Sequence, residues 1–342
     1  MLRPAFAVLL VAAACSASDP APRAARARPA LPWTPAVVAH CGSGTPPAEG
    51  GGCAPAVDAA LAVLARGGDP IDAVVAGAIV LEDDPRYNAG TGSVVRLDGR
   101  TVEMDAAVMD SSGRFGAAAG LEEVKNPVVV ARAVADTPHR LIAGAGATAF
   151  ARAIGQAVHD PRRPETLAEA ERLRAALVAD GPGISEAWRR FDWRRAWNYA
   201  APLPTASAPQ PAPVRPGGDT VGVLARSADG RFAAALSTGG WTVVLRGRIG
   251  DVPIPGAGLH AGPHGAVAGT GLGEKIIDVQ LARTVYGWIE TGVPAQEAAR
   301  RGVALAGGKA ALIAITPTEA VAEADPPMAW CTRSAAPRQR PH

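Results

Sequence analysis

Short apolar runs and longer amphipathic stretches alternate along the chain, which indicates a protein that mixes strands and helices. Two pairs of apolar runs each flank an Asp-Gly dipeptide, the strongest short-range signal of a β-hairpin. They predict one hairpin from Ser93 to Met104 and a second from Val221 to Ser237. Other apolar runs of strand length predict strands at 36–40, 105–110, 116–120, 266–268 and 310–315.

Helical spacing of apolar residues predicts helices between these strands. The first helix carries Val57, Leu61 and Leu64 on one face. Asp69 is placed to cap the second helix, and Pro70 suits its first turn. The remaining predicted helices cover 127–135, 145–154, 164–178, 274–291 and 294–305.

Two low-complexity tracts interrupt this pattern. Residues 16–35 are rich in Ala, Pro and Arg, which is typical of a flexible leader without a fold of its own. Residues 200–216 are rich in Pro and Ala and are predicted to be disordered, as is the whole linker 200–219. A long disordered segment inside a compact domain is unusual. A break in the chain at its end would account for it.

The second tract ends at Asp219 and Thr220, immediately before a predicted strand. One interpretation is a turn that leads into a sheet. The other is a cleavage site, because a cut between these residues would make Thr220 an N-terminal residue with both a hydroxyl and a free α-amine. An amine in that position can serve as the base that activates the hydroxyl as a nucleophile.

Composition and the N-terminus restrict the functional classes. The 342 residues carry a net charge of +2 and the Arg residues are scattered, so nucleic-acid binding has no support. The N-terminus is typical of an export signal, with Arg3 before an apolar run, Ala5 to Ala14, that is too short to span a bilayer. Cys15 resembles a bacterial lipoprotein site, and both lipid attachment and simple cleavage nearby remain open. Either way, we expect an exported protein, periplasmic or anchored to a membrane.

The cysteines do not predict a metal site. Cys41 and Cys53 flank a Gly- and Pro-rich loop, and export permits disulfides, so these two residues are candidates for a bridge. No cysteine pair and no His/Cys cluster in the sequence has metal-site spacing.

Two further patterns suit chemistry on a small zwitterion. Arg248 and Asp251 lie three residues apart in a Gly-rich loop. They form either a surface ion pair of little energetic value or a clamp for the carboxylate and ammonium groups of an amino acid. Gly269, Gly271 and Gly273 precede a predicted helix, but their spacing does not match a dinucleotide-binding loop. Backbone N–H groups at such a helix start can instead stabilise an oxyanion.

Many separate motifs then occur in one order along the chain. The first group comprises Asn88–Ser93, Glu103–Asp110, Lys125–Pro127 and Thr137–His139. The second comprises Asp219–Gly222, Ser237–Gly240, Gly247–Asp251 and Gly269–Glu274. The two groups resemble the first and second subunits of plant-type L-asparaginases, also called isoaspartyl peptidases. The resemblance covers roughly residues 36–155 and 217–315.

The resemblance implies an N-terminal-nucleophile hydrolase, an α+β protein with a four-layer αββα sandwich. It implies self-cleavage between Asp219 and Thr220, which gives an α subunit at 36–219 and a β subunit at 220–342 within one folded domain, after a signal sequence and leader at 1–35. It also assigns roles at the site by matching positions. Thr220 is the expected nucleophile, Thr238 its supporting residue, Thr270 and Gly271 the oxyanion hole, Arg248 and Asp251 the substrate clamp, and Asn88 a residue that lines the site.

The implied activity is hydrolysis of β-aspartyl amide bonds in isoaspartyl dipeptides and L-asparagine, without a cofactor. The loop from Leu81 to Thr91 resembles one that binds a structural sodium through backbone carbonyls in some members, and the family suggests a dimer of αβ units. Two alternatives stay open. Asp219-Thr220 and the segment 253–258 are similar to glycosylasparaginases, which act on sugar-linked asparagine. The atypical C-terminal region would suit a non-catalytic exported binding protein of the same fold.

Overall fold

The computed structural model describes residues 33–45, 47–205 and 220–335. The predicted signal sequence, Cys15, the greater part of the predicted linker and Asp219 therefore lie outside the described residues. In chain order the strands are β1 (Ala36–Ser43), β2 (Met104–Asp110), β3 (Phe115–Leu121), β4 (Leu141–Ala143), β5 (Val221–Arg226), β6 (Phe232–Thr238), β7 (Leu259–Gly262), β8 (Gly265–Gly271), β9 (Ala310–Ile315), β10 (Ala320–Asp325) and β11 (Met328–Ser334). The helices are α1 (Cys53–Ala65), α2 (Pro70–Asp83), α3 (Pro127–Val134), α4 (Gly144–Ala153), α5 (Pro164–Val178), α6 (Glu186–Arg190), α7 (Gly273–Val279), α8 (Leu281–Glu290) and α9 (Ala295–Leu305).

The strands form two sheets. The larger sheet has the order β11-β1-β5-β6-β2-β3-β4, and all its neighbours are antiparallel except β3 and β4. The smaller sheet has the order β10-β9-β8-β7 and is antiparallel throughout. The hairpin predicted around Asp229-Gly230 is confirmed as β5 and β6, which lie in the interior of the larger sheet.

Three apolar layers hold the sheets and helices together. Side chains alternate between the two faces of a strand, so each sheet offers one set inward and one set outward. Leu224 of the larger sheet and Ile313 of the smaller one belong to the inner core. Val223 packs outward against α1 and α2, and Leu312 packs outward against α8 and α9. The predicted αββα sandwich is confirmed.

Local sequence signals account for several elements. Asp69 caps α2, because its carboxylate accepts a hydrogen bond from the Ile71 N–H at 3.1 Å. The other predicted helices, apart from the one at 274–291, occur close to their expected bounds, and α5 occupies 164–178 as predicted. A disulfide joins Cys41 at the end of β1 to Cys53 at the start of α1. None of the helices in the described ranges is long and apolar enough to span a membrane.

Two predicted elements were wrong. The turn at Asp98-Gly99 exists, and the Arg96 N–H donates to the Thr101 carbonyl across it at 2.8 Å, but its flanks are not strands. The Arg96 side chain, rather than a strand ladder, connects this segment to the Gly239 carbonyl. The predicted helix 274–291 is two helices, since Gln280 has a left-handed φ of 47°. Just after this break, the Arg283 N–H donates to the distant Gly256 carbonyl at 2.8 Å. β4, β7, β10 and β11 had no prediction.

Candidate active site

Three threonines meet at one end of the space between the two sheets. Thr220 directly precedes β5, Thr238 ends β6 and Thr270 lies in β8. The strand alternation places Thr220 in phase with Leu224, Thr238 with Leu236 and Thr270 with Ala268, and these three apolar residues belong to the inner core. Thr220 and Thr238 are each 3% exposed and Thr270 is fully buried. These hydroxyls therefore line a largely water-excluded space.

The strand register sets the neighbours of Thr220. Val221 lies opposite Ser237 across the β5–β6 pair, so Thr220 and Thr238 come next to each other, one residue further along. On the next strand, Asp105 lies opposite Thr238. Neighbouring residues on adjacent antiparallel strands have Cβ atoms about 5 Å apart, close enough for the hydroxyls to interact.

The third threonine connects the two sheets. The Ser43 N–H, at the end of β1, donates to the Thr270 hydroxyl at 3.4 Å. The following residue, Gly271, has a φ of +127°, and a Cβ there would lie 2.5 Å from the Lys309 carbonyl oxygen. Only glycine fits this position without displacing the backbone. Thr270 and Gly271 thus stand at a rigid point immediately before α7.

The turn after β6 is held from one side by Asn88. Its side-chain amide donates to the Gly240 carbonyl at 2.7 Å, and its backbone carbonyl accepts from the Gly239 N–H at 2.8 Å. Within the turn, the Gly240 N–H donates to the Thr238 hydroxyl at 3.0 Å. The structure therefore places Asn88 where it orients the turn that carries Thr238.

Arg96 holds the same turn from the other side. Its side chain is only 1% exposed, and it donates to the carbonyls of Gly239, Trp241 and Glu103. A buried guanidinium is tolerated only when its donors are satisfied. This network fixes the turn at both of its ends.

The two predicted clamp residues converge over the start of α7. A Cβ at Gly273 would lie 2.8 Å from Arg248 Nη2 and 2.9 Å from Asp251 Oδ1, so both charged groups approach the same point. Arg248 also makes a bidentate pair with Glu274, with Nε–Oε1 at 3.0 Å and Nη2–Oε2 at 2.9 Å. The Nε and Nη2 edge of Arg248 is thus already paired with a carboxylate, and a substrate carboxylate would have to displace Glu274 or bind the guanidinium beside it.

Asp251 is an unusual carboxylate. It is 4% exposed, and its Oδ2 has no hydrogen-bond partner among the described residues. Burial raises the pKa of Asp251 to about 7; the charge of Arg248 opposes this, whereas Asp105 and Glu274 add to it. Burial also raises the pKa of Asp105, which accepts from the Gly120 N–H at 2.8 Å. A cation entering here would meet unsatisfied negative charge.

His40 is the other buried polar group near Thr220. It lies opposite Gly222 in the register, and a Cβ at Gly222 would lie 2.3 Å from His40 Nε2. Burial lowers the pKa of His40 to about 3, against an opposing effect of the Thr220 backbone, so the ring is neutral at pH 7. Neither ring nitrogen has a well-formed hydrogen bond within the described part of the chain.

Comparison with known proteins identifies the family. The family described as Asparaginase matches residues 49–324. This chain belongs to the asparaginase family. A plant-type L-asparaginase of Pyrococcus furiosus is 39% identical over 241 residues, which are 70% of this chain and 72% of that protein. A plant-type L-asparaginase of Thermococcus kodakarensis is 37% identical, covering 79% and 85%. An isoaspartyl peptidase/L-asparaginase of Danio rerio is 36% identical, covering 77% and 79%.

The asparaginase fold brings most of the predicted site residues together. The three threonines share one end of the inner space, and Arg248 and Asp251 meet at the helix start that follows Thr270 and Gly271. Asp219 alone among them lies outside the described residues. The catalytic roles of these residues stay predictions at this point.

Sequence reasoning did not assign a role to four charged residues around this site: Glu82, Arg96 and Asp105 are buried and Glu274 is exposed. Asp105 and Glu274 stand within recognised motifs, so the motif itself was the available signal. Arg96 had no signal, because nothing in its neighbourhood marks an arginine that turns inward. Glu82 had none either; its Oε1 accepts from the Ser237 hydroxyl at 2.6 Å, and burial raises its pKa to about 8.

The segment from Leu81 to Thr91 begins in the last turn of α2 and continues to Asn88 at the site. Backbone carbonyls of Glu82 and Lys125 both approach Gly90, where a Cβ would lie 2.6 Å and 2.7 Å from them. These contacts show close backbone packing around Gly90, whose φ of +50° and lack of a Cβ permit it. No group of three or more acidic, His or Cys side chains in the described ranges could hold a metal ion. The sodium stays a prediction.

Proposed function

We propose that this chain is a self-processing hydrolase that cleaves β-aspartyl amide bonds, with L-asparagine and isoaspartyl dipeptides as substrates and Thr220 as the nucleophile. Relatives named L-asparaginase and isoaspartyl peptidase support the reaction class. The observation that carries the finer assignment is that Thr220 neighbours Thr238 across the strands and that both face the same inner space as Thr270.

The proposed first step makes Thr220 an N-terminal residue. Its α-amine has an ordinary pKa of about 7.7–8.0, so a useful fraction is a neutral base near pH 7. The amine takes the proton from the Thr220 hydroxyl while Oγ1 attacks the side-chain amide carbon of the substrate. The oxyanion that forms is stabilised by the Thr270 hydroxyl and the Gly271 N–H.

Collapse of the tetrahedral intermediate breaks the C–N bond. The protonated α-amine returns its proton to the leaving nitrogen, so ammonia or an amino acid departs and Thr220 carries an aspartyl ester. Water then attacks the ester carbon, again with the amine as base, and L-aspartate leaves. Arg248 holds the substrate carboxylate and Asp251 its ammonium throughout.

Intact-mass analysis of the purified protein tests the processing. We expect two fragments, the smaller one beginning at Thr220. A separate activity assay should show ammonia release from L-asparagine. Thr220→Ala is expected to stay uncut and inactive. Thr318→Ala is the matched control, because Thr318 is exposed outside the site, and it is expected to be cut and active. An uncut wild-type chain after prolonged incubation contradicts self-processing, and an active Thr220→Ala contradicts the nucleophile.

Turnover and binding assays on the same purified protein distinguish the proposed reaction from the two alternatives. Turnover of β-aspartyl-leucine over N-acetylglucosaminyl-asparagine favours the proposed reaction, and the reverse preference favours a glycosylasparaginase. Calorimetric binding of L-aspartate without turnover of any substrate would indicate a binding protein. From the sequence we also propose export, with or without a lipid at Cys15, and a dimer of αβ units.

A further inference from the structure

A cluster of aromatic residues lies beside the loop that carries Arg248. The segment 184–199 carries Trp193 and Tyr199 into a small core of its own. Trp188, on the short helix α6, is partly buried and packs against that core. Its ring is in edge-to-face contact with Phe191, just after α6, at 5.5 Å between ring centroids. Phe191 is 41% exposed. The Phe191 ring and the uncovered part of the Trp188 ring thus face open space beside this core.

The open space is a cleft of about 460 Å³. We call it the aromatic cleft: Trp188, Phe191 and Leu245 form its apolar wall, and Arg246, Arg248 and Glu274 stand on its rim. Arg248 therefore belongs both to the clamp and to the aromatic cleft.

Hydrogen bonds hold the two walls of the aromatic cleft in place. The Asn198 side chain donates to the Arg246 carbonyl at 2.9 Å and accepts from the Arg246 N–H at 3.0 Å. The Tyr199 hydroxyl donates to the Val244 carbonyl at 2.8 Å. The aromatic segment is thereby fixed to the loop that carries Arg248. A site whose walls are already positioned loses less entropy when it binds.

Substrate geometry puts the aromatic cleft within reach of the leaving group. In a β-aspartyl dipeptide, four bonds separate the Cα of the aspartyl unit from the Cα of the leaving residue, a span of about 5 Å with standard bond lengths. A cleft that shares Arg248 with the carboxylate clamp is therefore close enough to receive the leaving residue's side chain. Asparagine itself has no group that could fill it.

The chemistry of the aromatic cleft selects the kind of leaving residue. Its rings and Leu245 offer an apolar surface, and aromatic pairs gain affinity beyond the area they bury. The Arg246 guanidinium, with a side chain 41% exposed, is paired with Glu122 at 2.8 Å, and the free carboxylate of the leaving residue would compete with Glu122 for it. Resting on the proposed function, we infer that the aromatic cleft is a leaving-group subsite that favours β-aspartyl dipeptides with an aromatic C-terminal residue.

The test compares β-aspartyl-phenylalanine with β-aspartyl-alanine. In the double variant Trp188→Ala/Phe191→Ala, the ratio of kcat/KM for the first over the second is expected to fall about tenfold, since each lost ring contact is worth a few-fold in affinity. Trp330→Ala is the matched control, because Trp330 is likewise 42% exposed but lies on the edge strand β11; its ratio should not change. An unchanged ratio in the double variant overturns the inference.

A binding measurement keeps the inference separate from the proposed reaction. Calorimetry of the processed protein with non-hydrolysable analogues of the two dipeptides, in which a CH2 group replaces the amide N–H, should give tighter binding of the phenylalanine form than of the alanine form. Trp188→Leu should reduce the difference while it preserves an apolar side chain for folding. Equal binding of the two analogues refutes the subsite. If the wild-type enzyme hydrolyses none of the substrates, the proposed function fails, and the calorimetric difference still decides whether the aromatic cleft recognises the ring.

Discussion

Replacing Asp251 by Asn should stabilise the protein while it removes substrate binding. The carboxyl is buried with one oxygen unpartnered, and its pKa rises from 3.8 to about 7. A carboxyl with a raised pKa binds its proton more tightly in the folded state than in the unfolded chain. Its ionisation therefore lowers the free energy of unfolding as the pH increases from about 4 to about 7, and the cost stays constant above that.

The size of the effect follows from the pKa difference. A rise from 3.8 to about 7 corresponds to about 4 kcal/mol, at about 1.4 kcal/mol for each pH unit. Asn has the shape of the protonated acid and never ionises. Asp251→Asn should therefore match the wild type near pH 4 and exceed its free energy of unfolding by up to about 4 kcal/mol at pH 8.

Urea unfolding of both proteins at one protein concentration, across pH 4 to 9, measures this difference. Glu82, whose pKa is also raised by burial, is present in both proteins, so its titration cancels in the comparison. L-Aspartate should stabilise the wild type and have no effect on the variant, because the ammonium loses its partner. A difference between the two proteins that does not change with pH would refute the reasoning, since Asp251 would then titrate normally.

Three further predictions concern the same site. Gly239→Ala brings a Cβ to 2.4 Å from Asn88 Oδ1, so we expect a loss of about 1–3 kcal/mol of stability and at least a tenfold loss of kcat/KM; Gly51→Ala, with no atom within 4 Å of its Cβ, is the control that should change neither. Arg248→Lys removes the planar fork that pairs with carboxylates and should raise KM for L-asparagine at least tenfold with a smaller change in kcat; an unchanged KM contradicts the clamp. Glu82→Gln should gain stability over the wild type as the pH rises from 4.5 to about 8, because the raised pKa of Glu82 makes ionisation costly, and equal urea midpoints at pH 9 would show that Glu82 ionises freely.

Turn and capping residues in the sequence correctly predicted the elements whose bounds depend on interactions between neighbouring residues. The β5–β6 hairpin follows from Asp229-Gly230 between two apolar runs, and the start of α2 follows from Asp69 and Pro70. Gly230 has a φ of +80°, the left-handed conformation that such a turn requires. In each case the information lies within a few residues of the element itself.

Long-range contacts decide the elements that sequence reasoning missed. The apolar pattern from Glu274 to Thr291 is continuous, yet the helix breaks at Gln280, where backbone bonds to Gly256 and Ala257 capture the next N–H groups. The predicted strand around Arg96 is absent, and the segment is held instead by the Arg96 side chain, which binds carbonyls more than a hundred residues away. A pattern of apolar positions contains no record of such partners.

The candidate site likewise combines residues that the sequence indicates and properties that only the packed structure reveals. The residue types and their order indicated the three threonines and the clamp, through a family resemblance over many motifs. The charge state of Asp251 and the neutral ring of His40 depend on burial, which only the packed structure provides. The orienting contacts of Asn88 likewise come from a turn about 150 residues further along the chain.

The order of strands in the larger sheet governs what the proposed cut would do to the molecule. In the larger sheet, the fragment before Thr220 would contribute β1 to β4, and the fragment that begins at Thr220 would contribute β5, β6 and β11. Their strands interleave, because β1 is enclosed by β11 and β5 while β6 is joined to β2. Separating the two chains would break three strand pairs of one sheet, β11–β1, β1–β5 and β6–β2, and would expose its core. Dissociation and unfolding would then be a single event, so dilution alone would not divide the mature enzyme.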